Sequence, residues 1–179
     1  MQFVPTQLDG AFVIDLDMRE DSRGYFARTF CQREFEEHGL NPFVAQCNMS
    51  FSRKQGTLRG MHYQTDDAAE AKLIRCVRGA IHDVIVDLRP NSPTYLQHVG
   101  VELNADNHRA LYVPEGFAHG FLTLTDDVEV FYQVSAFYAP GKEQGLRYDD
   151  PAIAIQWPLP VTEISDKDAA WPLLEGVSA

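Results

Sequence analysis

Apolar residues along the chain fall in short runs that are β-branched or aromatic, without the three-to-four spacing of amphipathic helices. Seven runs predict strands: Ala11 to Leu16, Lys72 to Val77, Ala80 to Leu88, His98 to Leu103, Arg109 to Val113, Gly120 to Leu124 and Val128 to Phe137. Asp9-Gly10, Arg78-Gly79, Pro90-Asn91-Ser92-Pro93, Asp106-Asn107 and Asp126-Asp127 separate them with turn chemistry. Regular short strands punctuated in this way point to an all-β sandwich or barrel. Two helices are predicted. One runs from Gln32 to His38 and ends in Gly39, a residue suited to the left-handed backbone that closes a helix. The other starts at Ser165-Asp166-Lys167-Asp168, a capping serine with an acid three positions on.

The run from Ile81 to Leu88 adds detail. Alternation puts Ile81, Asp83, Ile85 and Asp87 on one face, and His82, Val84, Val86 and Leu88 on the other. A half-apolar face carrying two carboxylates fits either a solvent side or a barrel lumen with polar machinery.

A length of 179 residues, without linker or repeat, predicts a single domain over residues 1–179. No apolar run approaches the ~18 residues of a membrane span. The N-terminal Met1-Gln2-Phe3-Val4-Pro5 lacks the basic and apolar regions of a signal peptide, so a cytoplasmic location is expected. Cys31, Cys47 and Cys76 have no metal-like spacing and read as reduced thiols. A net charge of −11 argues against nucleic-acid binding. It leaves room for a small anion, because Arg19, Arg23, Arg28, Arg33, Arg53, Lys54, Arg59, Lys72, Arg75 and Arg78 all lie in the first eighty residues.

Two motifs carry candidate chemistry: Leu58-Arg59-Gly60-Met61-His62-Tyr63-Gln64 and Pro114-Glu115-Gly116-Phe117-Ala118-His119-Gly120. The second contains Pro-x-Gly-x-x-His, which resembles the second half of the cupin-barrel signature. The first half of that signature normally holds His-x-His, two metal ligands. Here it reads His62-Tyr63-Gln64, so one ligand is missing, which argues that His62 handles protons. Together with Asp21-Ser22-Arg23-Gly24-Tyr25-Phe26, Gln46-Cys47-Asn48-Met49-Ser50, Asp83 to Arg89, Tyr132, Tyr138-Ala139-Pro140, Asp149-Asp150-Pro151 and Ile155-Gln156-Trp157-Pro158, these motifs make the chain resemble the dTDP-4-dehydrorhamnose 3,5-epimerases from about Asp9 to Leu174.

The resemblance implies an all-β, cupin-type double-stranded β-helix (a jelly-roll barrel with a few short helices), assembled as a homodimer and working without metal or organic cofactor. It implies epimerisation beside the C4 ketone of a nucleotide-diphospho-4-keto-6-deoxyhexose. His62 matches the base, Asp168 the carboxylate that orients it, Tyr132 the acid on the opposite face, and Lys72 the cation at the ketone oxygen. His119 matches a substrate contact, with Asp83 inward beside it. Arg23, Gln46, Asn48, Arg59, Glu143 and Lys167 match positions that hold the nucleotide diphosphate, and Phe26 and Tyr138 are aromatic faces suited to a pyrimidine. Two readings of other classes stand beside this one. One is a metal-dependent cupin using His62, Glu70 and His119; the other is a sugar-binding barrel without catalysis.

The chain departs from the family pattern at three places. Arg28 stands where the family usually carries Glu. Asn48-Met49-Ser50 replaces Asn-His-Ser, and Glu70-Ala71-Lys72 replaces the common Gln-Gly-Lys. The first two raise the alternative of a CDP- or GDP-linked sugar, and an enzyme inverting only C3 or only C5 fits the same base and acid.

Overall fold

The computed structural model describes residues 1–174; the last five residues of the expected 1–179 domain lie outside the described residues. Strands β1 (Gln2–Pro5), β2 (Phe12–Asp15), β3 (Arg19–Asp21) and β4 (Gly24–Phe26) precede helix α1 (Gln32–Glu37). Then follow β5 (Gln46–Ser52), β6 (Thr57–Gln64), β7 (Lys72–Arg78), β8 (Ala80–Asp87), β9 (His98–Asn104), β10 (Ala110–Val113), β11 (Phe117–Thr123) and β12 (Val128–Val134). The short β13 (Glu143–Gly145), β14 (Glu163–Ile164) and helix α2 (Asp166–Ala169) close the described chain.

Two sheets face each other. One has the order β1-β2-β10-β7-β12-β5, the other β13-β6-β11-β8-β9, with β14 parallel to β6. Strands β5 to β12 cross from one sheet to the other at each step except between β8 and β9, which form a hairpin in the second sheet; this is the eight-strand arrangement of a jelly roll, so the barrel is of the expected cupin type. Leu8, Ile74, Ile81, Ile85, Leu103, Leu111, Phe117 and Val130 fill the space between the sheets. Each buried side chain of this size contributes about 1.5–3 kcal/mol. Outside the first sheet, α1 lays Phe35 over Ile14, Leu73, Ala110 and Tyr112. Outside the second, the segment with Leu146, Ile153 and Trp157 covers Met61, Val84 and Val86.

The seven apolar runs all form strands, although the run at Gly120 already begins at Phe117 and the run at Val128 ends at Val134. Both helices form as expected, and the Ser165 hydroxyl accepts from the Asp168 N–H at 3.1 Å. The choice left open at β8 falls to the interior: Asp83 and Asp87 are fully buried. Asp87 accepts from Arg89, Ser92 and Thr94 at the far end of the strand. Burial alone would raise its pKa, but those donors outweigh burial and hold the carboxyl well below the ordinary range.

Candidate active site

Glycines bring the two histidine strands together. Cα of His62 on β6 is the register partner of His119 on β11. The register shifts between His119 and Phe121, where Gly60 meets Gly120 so closely that a Cβ on Gly60 would lie 2.5 Å from the Gly120 Cα. Gly60 also has φ +140°, a backbone region that disfavours other residues. A side chain at either glycine would push β6 and β11 apart, and the two imidazoles with them.

Each imidazole has its own carboxylate. His62 Nε2 lies 2.6 Å from Asp168 Oδ1, and the second oxygen of Asp168 accepts from the Gly60 N–H at 3.2 Å. Burial pushes the Asp168 pKa upward, but the hydrogen bond and charge of His62, with the Gly60 donor, outweigh it and hold the carboxyl below its usual value. Ser165 satisfies half of a capping box, while the acid that could have completed it is committed to the histidine. His119 Nε2 lies 2.7 Å from Asp83 Oδ1, inward as expected.

Tyr132 comes from the other sheet, on β12 between Asn48 of β5 and Ile74 of β7. Burial raises its phenol pKa, the nearby carboxylates of Glu70 and Glu143 raise it further, and Arg59 opposes them. Lys72, on β7 of the same sheet, is buried; its ammonium lies 3.2 Å from Glu70 Oε1 and donates to the His62 carbonyl at 3.4 Å. His62 and Tyr132 therefore face one another from opposite walls, with Lys72 between.

The space between them is a cleft in two chambers that share His62, Lys72 and Tyr132. The inner chamber, about 420 Å³, adds Arg59, His119, Phe121 and Asp168. The outer, about 140 Å³, adds Gln46, Asn48, Tyr138 and Glu143. Of the thirteen site residues expected from sequence, ten thus line one cleft. Lys167 lines neither chamber but sits at the rim, 2.5 Å from Glu143 Oε2. Arg23 and Phe26 are not brought in. They sit on the β3–β4 hairpin, 87% exposed at the Arg23 side chain and 68% at Phe26, and Arg23 pairs with Asp21 of the same turn.

Two expected departures also lie outside the cleft of their own chain. Arg28 pairs with Glu34 at 3.3 Å, and Met49 alternates away from Asn48 and Ser50 onto the outer face of the first sheet. The side chains weighed as metal ligands are each committed to a partner: His62 to Asp168, His119 to Asp83, Glu70 to Lys72. Among the described residues no group of three or more His, Cys, Asp and Glu is placed to hold a metal ion.

Sequence reasoning missed Ser50, whose buried hydroxyl lines the inner chamber without a partner. Its signal was the period-two series Gln46, Asn48, Ser50, Ser52. That series was not read as a strand because its polar side faces in and its apolar side, Cys47, Met49 and Phe51, faces out.

A jelly-roll barrel whose lumen holds a His–Asp pair facing a tyrosine across a buried lysine defines a proton-transfer enzyme of the cupin type. The family model described as dTDP-4-dehydrorhamnose 3,5-epimerase matches residues 5–176. The dTDP-4-dehydrorhamnose 3,5-epimerase of Methanothermobacter thermautotrophicus is 46% identical over 178 residues, covering 97% of this chain and 95% of its own. The crystal structure of the Bacillus anthracis dTDP-4-dehydrorhamnose 3,5-epimerase with TDP and PPi bound superposes with a TM-score of 0.93 at 41% identity, covering 97% of this chain and 99% of that one. The Legionella pneumophila enzyme in complex with dTDP-4-keto-L-rhamnose gives a TM-score of 0.91 at 38% identity, covering 99% and 94%. The chain belongs to the dTDP-4-dehydrorhamnose 3,5-epimerase family and is an isomerase.

Proposed function

We propose that the chain converts dTDP-4-dehydro-6-deoxy-D-glucose to dTDP-4-dehydro-L-rhamnose by inverting C3 and C5. The observation that carries this reading is the placement of His62 and Tyr132 on opposite sheets, with Lys72 between them. A C–H beside a ketone is acidic once the enolate oxygen is stabilised. His62, oriented by Asp168, takes the proton from carbon, and the C–H electron pair moves into the enolate with its charge on the C4 oxygen. The Lys72 ammonium meets that oxygen. Tyr132 then delivers a proton to the same carbon from the opposite face, as its protonated phenol allows, and the configuration is inverted. The imidazolium then loses its proton to solvent and the Tyr132 phenolate regains one, and repetition at the second carbon gives the double epimer.

In this reading Arg59, Gln46, Asn48 and Lys167 hold the nucleotide diphosphate, Glu143 steadies Lys167, and Tyr138 stacks on the base. His119 contacts the sugar. Arg23 and Phe26 act on the same ligand only if they come from a second copy, and this supports a homodimer. The apolar outer face with Met49, Phe51 and Val77 is exposed in one chain and fits such a contact. Sedimentation equilibrium tests this; a monomer at assay concentration would remove Arg23 and Phe26 from the site. A single domain and a cytoplasmic location belong to the same proposal, the latter supported by three free thiols.

The reading is tested by proton NMR in deuterated water with dTDP-4-keto-6-deoxy-D-glucose, with His62→Ala as control. Deuterium entering C3 and C5 supports it, and label at one carbon makes the chain a mono-epimerase. Exchange only with a CDP- or GDP-linked sugar would overturn the choice of nucleotide. No exchange with any of these sugars would overturn the epimerase itself.

A further inference from the structure

Gln64 stands where a metal-binding cupin would carry its second histidine, and it is buried and fully engaged. Its amide oxygen accepts from the Ala139 N–H at 2.8 Å. Its amide nitrogen lies 3.1 Å from the Ala68 carbonyl, 3.2 Å from Glu70 Oε2 and 3.3 Å from the Phe137 carbonyl. Glu70 in turn presents its other oxygen to the Lys72 ammonium at 3.2 Å, with both side chains nearly sealed from solvent, 11% and 10% exposed. An ammonium has three protons. Glu70 and the His62 carbonyl take two, and the cleft that Lys72 lines receives the third.

We propose that Glu70, held by Gln64, is the positioning residue of this cleft, fixing the Lys72 ammonium where the ketone oxygen gains charge and setting the electrostatics around the Tyr132 phenol. The inference rests on the epimerase reading and extends it to a residue outside the base, the acid and the ligand contacts. A carboxylate this far from water persists only when paired, and here the partner is the one buried lysine or arginine among the described residues. The stretch Glu70-Ala71-Lys72 thus sets an acid and a base two residues apart at the entry to β7.

Its effect is electrostatic as well as geometric. Tyr132 is faced by Glu70 from the loop before β7, by Lys72 from β7, by Arg59 and His62 from β6 and by Glu143 from β13. Of these, Glu70 contributes the largest upward push on the phenol after burial itself. The charge keeps the acid protonated into more alkaline solution than a neutral amide would.

The experiment compares Glu70→Gln and Glu70→Ala with the parent protein, using the pH profile of exchange and the titration of the Tyr132 ring by carbon NMR of labelled tyrosine, assigned with Tyr132→Phe. Glu70→Gln keeps the side-chain shape, but its single carbonyl oxygen can accept from Lys72 or from Gln64 and not from both. Its alkaline limb and the Tyr132 midpoint are expected to move to lower pH, and kcat near neutrality to fall a few-fold as the Lys72 ion pair is lost. Glu70→Ala also loses the anchor of Lys72, and kcat is expected to fall about 10-fold while KM changes little. A Tyr132 midpoint that stays in place in Glu70→Gln overturns the inference, whatever the activity. A midpoint that moves while the parent exchanges no sugar upholds the coupling and overturns the epimerase reading. Since the titration needs only folded Glu70→Gln, a Glu70→Ala variant that fails to fold leaves the decision intact.

Discussion

The cleft holds two His–Asp pairs on neighbouring strands, each joining Nε2 to Oδ1 at almost the same length, and they differ in their surroundings. His62 is 31% exposed at the side chain and its acid 7%; His119 is 11% exposed and its acid 0%. Asp168 has both oxygens occupied, by His62 and the Gly60 N–H, and arrives from α2, 106 residues away in sequence. Asp83 comes from the adjacent strand β8, and its second oxygen is buried without a partner. An open histidine with a saturated acid can pick up a proton and release it. A sealed histidine whose acid has an unmet acceptor is better suited to hold a fixed hydrogen bond. The imidazole is common to both, and the surroundings divide the labour.

That contrast breaks most visibly at the histidines. Replacing His62 by Asn is expected to lower kcat by about 10³-fold, within the range of general-base contributions. Replacing His119 by Asn should cost about 10-fold, mainly in kcat/KM, and initial rates with dTDP-4-keto-6-deoxy-D-glucose compare the two. Equal losses would mean that both rings exchange protons with the substrate. The acids should show a smaller gap. Asp168→Asn is expected to reduce kcat about 10²-fold, because the amide cannot hold the ring in the same tautomer and charge. Asp83→Asn should reduce kcat/KM only a few-fold.

The smallest effect is on stability in acid. The folded-state pKa of Asp168 lies below its unfolded value, so the pair adds stability above the unfolded pKa and loses it as pH falls through the folded one. Thermal melts below pH 4 should therefore show a shallower acid slope in Asp168→Asn than in the parent.

What was legible in the sequence follows the same divide between near and far. Strands β7 to β12 were readable because their apolar sides face the core, and each is bounded by turn residues. β5 was not, since its polar alternation faces inward. The β3–β4 hairpin was not either, as its six residues are all exposed and carry no periodic pattern. At the site, His62, Arg59 and His119 stood out as motifs on single strands. Tyr132 had no local signal and Asp168 only that of a helix cap, so both entered the site through the family resemblance. The Gln64–Glu70–Lys72 chain joins a strand, a loop and the next strand, a geometry that no one-dimensional spacing encodes.

The short helix α2 carries Asp168 as an addition to a barrel that closes without it. The eight jelly-roll strands are complete before residue 163, and β14, laid along β6, brings Glu163, Ile164, Ser165 and Asp168 to the cleft as a last wall. A descendant that changed Asp168 alone would leave the barrel, the other walls of the cleft and Lys167 in place, and would lose only the carboxylate paired with His62.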